Sequence, residues 1–156
     1  MANKYLIVKK SGIHNRGVFA KKDIPKGILI VEYRGRKVTR EEGTRIEGET
    51  SKRGYTYIFE LDKKYDIDGD VSYNDARYIN HSCSPNCTIE YKDGHIWIVA
   101  KEDISKGDEL SYNYGFDFDE KDYHKCACGS KNCVGYIADE EDWLKIKEFE
   151  KKKDMK

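Results

Sequence analysis

The chain has 156 residues and a mass of about 18.2 kDa, the size of one domain with a modest core and too small for two. Its 29 Lys and Arg are balanced by 29 Asp and Glu, which leaves no basic excess for bulk electrostatic binding of nucleic acid. No run approaches the roughly 20 apolar residues of a membrane helix. The expectation is a soluble, intracellular protein with no membrane partner and no direct nucleic-acid partner.

Short apolar runs rich in Ile, Val, Tyr and Phe predict strands at Tyr5–Val8, Ile28–Tyr33 and Tyr55–Leu61. Thr39-Arg40-Glu41-Glu42 has the form of a capping box and predicts a short helix, weakened by Gly43. Asp93-Gly94 predicts a hairpin joining Cys87–Tyr91 to His95–Ala100, and Glu109–Tyr114 is one more strand. Asp139 is placed to cap a last helix with Trp143, Ile146 and Phe149 on one face, and Lys151–Lys156 is expected to fray. Ala20–Gly27 is echoed by Ala100–Gly107 with six of eight positions identical. The echo is read as two similar turns, each leading into a strand.

Two segments carry chemistry. Arg77–Cys87 packs Asn80, His81, Ser82 and Cys83 beside Pro85, outside any amphipathic pattern. Cys126, Cys128 and Cys133 fall within eight residues as C-x-C-x4-C. Such a cluster in a chain without a secretory signal reads as metal-binding before disulfide-forming. A structural zinc takes four ligands, so a fourth must come from elsewhere, with Cys83, Cys87 and His124 available. Tyr occurs 12 times, which suits both strands and an aromatic-lined site.

Asn80-His81-Ser82-Cys83, Gly107–Tyr114 and the C-x-C-x4-C tail, in that order, resemble a SET-domain protein-lysine methyltransferase with a post-SET zinc segment. Asn15–Ala20, Glu32–Gly35, Tyr55–Phe59 and Ile67-Asp68 agree with the resemblance, which covers roughly residues 4–138. It implies a mainly β fold of several small sheets, with a knot-like C-terminal segment, a zinc-binding tail and a short C-terminal helix. The implied division is a SET domain at 4–115, a post-SET segment at 122–138 and a helix with tail at 139–156. The implied cofactor is S-adenosylmethionine, held by His14, Asn15, Arg16, Gly17, Tyr57, Arg77, Asn80 and His81. Zinc goes to Cys83, Cys126, Cys128 and Cys133, while Cys87 is buried filler. Tyr114 takes the catalytic position, Tyr33 lines the lysine channel, and Tyr112 restricts the product mainly to mono-methyl-lysine. The implied partner is a lysine-bearing protein or peptide, a histone or another chromatin protein. The implied location is cytoplasmic in a prokaryote, nuclear and chromatin-bound in a eukaryote. The alternative is a silent SET-like module, zinc-stabilised, that binds peptides without chemistry.

Overall fold

The computed structural model describes residues 2–156. The two echoed turns are the hub of the architecture, because they pair with each other. Ile24 and Ile104 exchange both backbone hydrogen bonds, at 2.8 and 2.9 Å. Asp23 Oδ1 accepts from the Lys106 N–H, and Asp103 Oδ1 accepts from the Lys26 N–H, each at 2.8 Å. Gly27 donates to the Ala100 carbonyl and Gly107 to the Ala20 carbonyl, again at 2.8 Å each. The sequence echo therefore encodes a local two-fold arrangement, with Ile24 and Ile104 buried at its centre. Gly27 and Gly107 sit at φ 86° and 92°, a region that L side chains avoid, so each turn needs its glycine.

Four small sheets surround this hub. β1 (Leu6–Lys10) and β2 (Arg16–Ala20) form an antiparallel hairpin. β3 (Leu29–Glu32) lies beside β9 (His95–Ala100), which pairs with β8 (Cys87–Lys92). The β8–β9 turn places Asp93 and Gly94 at φ 51° and 75°, the two positive angles of a type I′ hairpin. β4 (Arg36–Thr39), β6 (Tyr65–Asp68) and β5 (Ile58–Glu60) make a third sheet in the order β4-β6-β5. The fourth is a parallel pair, β7 (Asn80–His81) with β10 (Ser111–Tyr112). The inward faces of these sheets supply one core containing Val18, Ile30, Ile79, Ile96, Ile98 and Leu110. Each such side chain contributes about 1.5–3 kcal/mol on burial.

The structure corrects four boundaries. The strand expected over Tyr55–Leu61 shrinks to Ile58–Glu60, because the Tyr57 carbonyl turns away to accept from the Gly69 N–H and the Tyr33 hydroxyl. The strand expected over Glu109–Tyr114 narrows to Ser111–Tyr112. Its chain first bridges Phe19 at Glu109 and then crosses to β7. Thr39 caps α1 by accepting from the Glu42 N–H, but the helix runs over 12 residues, Arg40–Ser51. Gly43 does not weaken it. A methyl group there would collide with the buried Asp66 carboxylate, which Arg40 holds at 2.9 Å. The final helix α2 (Trp143–Asp154) follows a turn capped by Asp139 and stays helical through Lys151–Asp154, where fraying was expected.

α2 builds a second, smaller core with the chain that precedes it. Ile146 is buried there, and Phe149 packs 5.5 Å from Phe118 and 6.2 Å from Tyr136 between ring centres. Asp142 accepts from the Phe118 N–H at 2.7 Å, and Lys145 donates to the Phe118 carbonyl at 2.6 Å. The helix thereby fixes the segment that carries the three clustered cysteines. The twin turns generate a quantitative expectation. Asp23→Ala and Asp103→Ala should each lower unfolding free energy by about 0.5–1.5 kcal/mol, the net value of one hydrogen bond. Urea denaturation should return similar losses for both; a loss from one alone would contradict the two-fold reading.

Candidate active site and thiol centre

The site begins with a buried polar node. Asn80 on β7 directs its amide nitrogen to the Arg16 carbonyl at 3.0 Å and to Glu109 Oε1 at 2.9 Å. The same carboxylate oxygen accepts from the Ser11 hydroxyl at 2.7 Å. Gly17 is buried against this node, and a methyl group there would overlap the Glu109 carboxylate. Asn86 supports the arrangement from behind. Its amide donates to the Glu109 carbonyl at 2.9 Å and accepts from the Ser111 N–H at 3.0 Å. Sequence reasoning assigned no role to Ser11, Glu109 or Asn86. Glu109 and Asn86 sit inside the two motifs, but nothing in the sequence connects Ser11 to them.

Parallel pairing of β7 with β10 then carries an aromatic wall to the node. Tyr112 is opposite His81 in register, and the Ser82 N–H donates to the Tyr112 carbonyl at 3.2 Å. Ring centres step from Tyr33 to Phe59 at 4.9 Å, on to Tyr112 at 6.0 Å, and to Tyr114 at a further 4.9 Å. Phe116 continues the wall 5.5 Å beyond Tyr114. The structure thus brings together the three tyrosines read from the sequence and adds Phe59 and Phe116. The Tyr33 hydroxyl donates to the Tyr57 carbonyl at 2.8 Å, and that of Tyr114 to the Ile79 carbonyl at 2.7 Å. The Tyr112 hydroxyl has no such partner among the described residues. Burial pushes all three phenols above their ordinary range, and neighbouring tyrosines, Tyr57 among them, add to it. They stay protonated at neutral pH, able to donate hydrogen bonds and unfit to act as bases.

Beside the wall lies a group of cationic and aromatic side chains. The Arg16 and Arg77 guanidinium groups lie 5.0 and 4.7 Å from the centre of the Tyr78 ring, and Arg77 is 5.6 Å from that of Tyr57. Arg77 pairs with Asp70 at 2.8 Å, yet its Nε is buried without an acceptor among the described residues. A buried donor without a partner is costly and marks a place for an anionic or carbonyl group. His14 and Asn15 of the β1–β2 connection and Arg16 at the start of β2 are exposed, unlike the buried Asn80 and His81. Burial pushes the His81 imidazole down to about 4, so it is neutral.

Four sulfurs close the other end. Cys83, Cys126, Cys128 and Cys133 place their Sγ atoms within 4.8 Å of one another. Zn–S bonds of about 2.3 Å in a tetrahedron put sulfurs about 3.8 Å apart; Cys83 and Cys126 are 3.9 Å apart. Of the three candidates for the fourth position, Cys83 joins the cluster. Cys87 is instead buried in the main core, which pushes its thiol up to about 12, and His124 is exposed against Phe116. The Asn132 amide donates to the Cys83 carbonyl at 3.1 Å and docks the cysteine loop on its fourth member. Burial raises the Cys83 thiol to about 11. At Cys128 burial also raises the pKa, but hydrogen bonds from the Ser130 hydroxyl, the Cys83 and Ser130 backbone and Cys126 together outweigh it, and the thiol falls to about 6. Four thiolates this close repel strongly without a cation between them. The donor set and spacing fit zinc.

Comparison with known proteins agrees with this geometry. Residues 15–115 match the SET domain, and the chain belongs to that family. It is 44% identical over 140 residues to Histone-lysine N-methyltransferase trr of Drosophila melanogaster, covering 84% of this chain and 6% of that protein. It is 41% identical over 139 residues to the human Histone-lysine N-methyltransferase 2D, covering 84% of this chain and 2% of that protein. With an H3 lysine-4 specific histone-lysine N-methyltransferase of Aspergillus oryzae the identity is 38% over 136 residues, covering 82% and 11%. The chain therefore spans only 2% to 11% of the length of these relatives. No helix among the described residues is long and apolar enough to cross a membrane.

Burial of the phenol wall makes the fold sensitive to alkali. Tyr33, Tyr112 and Tyr114 keep their protons in the folded state beyond the ordinary value of about 10. Their contribution to stability is complete below that pH and is lost as pH rises above it, when the unfolded chain releases protons that the folded chain retains. In an absorbance titration at the tyrosinate band, part of the signal from the 12 tyrosines should appear only together with loss of near-UV circular dichroism. Complete ionisation in a protein that still shows folded dichroism would contradict the burial argument.

Proposed function

We propose that the chain is the catalytic portion of a protein-lysine N-methyltransferase that uses S-adenosylmethionine and modifies a lysine of a histone or another chromatin protein. The observation that carries this reading is the wall of Tyr33, Phe59, Tyr112 and Tyr114 beside the Asn80 node and the unpaired Arg77 Nε. Membership of the SET domain family and the names of the relatives support the reaction class. Chromatin is the corresponding location.

S-adenosylmethionine, when bound, supplies a methyl group activated on a sulfonium sulfur. Arg16, Gly17, Tyr57, Arg77, Asn80 and His81 are the residues that would hold it, with His14 and Asn15 on the adjoining loop. The Arg77 guanidinium offers a charged donor, and the Tyr57 ring a face for a cation. The wall must deliver the substrate amine neutral, although free lysine has a pKa of about 10.4. Removal from water, beside the positive charge that the cofactor would carry, disfavours the ammonium form, and the released proton passes to solvent. The neutral Tyr114 hydroxyl orients the amine and fixes the line of transfer, so its task is alignment. Cys83, Cys126, Cys128 and Cys133 would hold a structural zinc that anchors the tail against the site.

Tyr112 sets the product. Its hydroxyl, unlike those of Tyr33 and Tyr114, has no hydrogen-bond partner among the described residues and can hold the amine or a water beside it. That occupies the space of further methyl groups and restrains rotation of the methylated nitrogen, so mono-methyl-lysine is the main product. In Tyr112→Phe the ring volume is nearly unchanged and the bond is lost, so a weakly held water can leave. The test is mass spectrometry of histone H3 and its N-terminal peptide after exhaustive reaction with labelled cofactor. The expected parent product is mono-methyl-lysine. Tyr112→Phe should move the distribution to higher states, and Tyr114→Phe should slow transfer about a hundredfold, the scale of a misaligned reacting pair. Abundant trimethyl-lysine from the parent would contradict the role of Tyr112. Cofactor binding without any methyl transfer would favour the silent peptide-binding module.

A further inference from the structure

His81 lies between the two parts of the site, and its two ring nitrogens face different ones. Nδ1 accepts from the Tyr114 backbone N–H at 3.1 Å. Nε2 lies 3.6 Å from Cys83 Sγ. An Nδ1 that accepts carries no proton, so the neutral ring has its hydrogen on Nε2, directed at the sulfur. The parallel ladder explains why the imidazole is needed. After Ser82 donates to the Tyr112 carbonyl, a continued ladder would send the Tyr114 N–H to the Ser82 carbonyl. The ladder stops at Tyr112 instead, and the His81 ring takes the place of that acceptor. His81 is buried, and its ring packs 5.4 Å from that of Tyr114.

We propose that His81 is a positioning residue that couples the four-thiol centre to Tyr114 through a single tautomer, Cys83 Sγ accepting from Nε2–H while Nδ1 accepts from the Tyr114 N–H. The inference rests on the metal reading given above. Other sulfurs of the cluster are oriented by donors from their own loop, the Cys128 N–H to Cys126 and the Gly135 N–H to Cys133, each at 3.4 Å. Cys83 alone links the cluster to the strand that leads into the site, and His81 is the side chain between them. Groups in the outer shell of a metal centre set the orientation of its ligands, and here the influence runs both ways. A metal that fixes Cys83 fixes the ring, and the ring fixes the backbone that aims the Tyr114 phenol. Loss of metal should therefore loosen Tyr114 without unfolding β7 or β10.

Two substitutions divide the bridge. Asn is long enough to replace Nδ1 and keep the bond to Tyr114 while losing the sulfur. Gln reaches the position of Nε2 and keeps a donor to Cys83 while losing the bond to Tyr114. The experiment loads the full chain with cobalt(II) and reads two signals, the sulfur-to-cobalt charge-transfer band and amide exchange at Tyr114 by NMR. The parent should bind one equivalent with a tetrahedral spectrum, and chelation should speed Tyr114 exchange roughly tenfold, the scale of one net hydrogen bond. His81→Asn should move the charge-transfer band to longer wavelength and make Tyr114 exchange independent of metal. His81→Gln should restore the band position yet leave Tyr114 exchange fast with metal bound. A purely structural histidine would give equal effects in the two variants. Failure to take up cobalt overturns the metal reading and the coupling with it. Uptake of one equivalent with an unchanged band in His81→Asn overturns the bridge alone. Long-range proton–nitrogen spectra of the zinc-loaded parent give a variant-free check, and a hydrogen found on Nδ1 would refute the assignment.

Discussion

The structure depends on one buried polar contact set, the Asn80 amide with the Arg16 carbonyl and the Glu109 carboxylate. Its members come from three distant stretches of chain, with Ser11 and Glu109 separated by 98 residues. An amide nitrogen has two hydrogens, and here one meets a backbone carbonyl and the other a charged oxygen. The Ser11 hydroxyl donates to that oxygen as well. Removing Asn80 leaves the Arg16 carbonyl without this donor and the carboxylate with Ser11 alone, in a partly buried place, so the cost exceeds the net value of the bonds lost. Such a cross-link tolerates little displacement. It fixes the first hairpin, β7 and the chain leading into β10 relative to one another.

The rest of the site follows from that fixation. With β7 and β10 held side by side, residues 80–81 and 111–112 run parallel. The Tyr112 and Tyr114 rings then face Phe59 and Tyr33. Cys83, two residues past β7, is carried to the place where the C-terminal loop brings three more thiols. The twin turns around Ile24 and Ile104 tie the ends of β2 and β9 together, since Ala20 and Ala100 each lead into one turn and accept from the closing glycine of the other. A small chain with a lean core thus concentrates its specific polar contacts where the chemistry is placed. Its 29 basic and 29 acidic residues balance over the whole chain.

Much of this was legible before the fold was known, for identifiable reasons. The thiol triplet is local, so its spacing alone announces a metal ligand set. The choice of Cys83 over Cys87 was carried by the resemblance, and the physical difference between them lies in the fold. Asn80 and His81 stood out because they lie outside any amphipathic pattern, whereas the roles of Tyr112 and Tyr114 were carried by the resemblance. The partners of Asn80 did not stand out. Ser11 at a hairpin end has the composition of any turn, and its pairing with Glu109 exists only in three dimensions. The 20–27 and 100–107 echo was visible as identity, yet nothing in it shows that the turns pair with each other. Periodicity overextended the strand at Tyr55–Leu61 because an aromatic-rich run looks the same whether its carbonyls join a ladder or, like that of Tyr57, serve Gly69 and Tyr33. Periodicity also undervalued α1, whose face is polar and whose glycine is required by Asp66.

The central claim is that Asn80 and Glu109 act as one unit, and a double-mutant cycle measures that most directly. Unfolding free energies of the parent, Asn80→Ala, Glu109→Ala and the double variant, determined in urea on the same metal-loaded chain, give their coupling. Residues that share a buried hydrogen-bond network couple by about 0.5–3 kcal/mol, whereas independent sites add. The account predicts a coupling of at least about 1 kcal/mol, with the double variant less damaged than the sum of the single losses. Strict additivity would contradict it and would leave Asn80 as an ordinary buried amide.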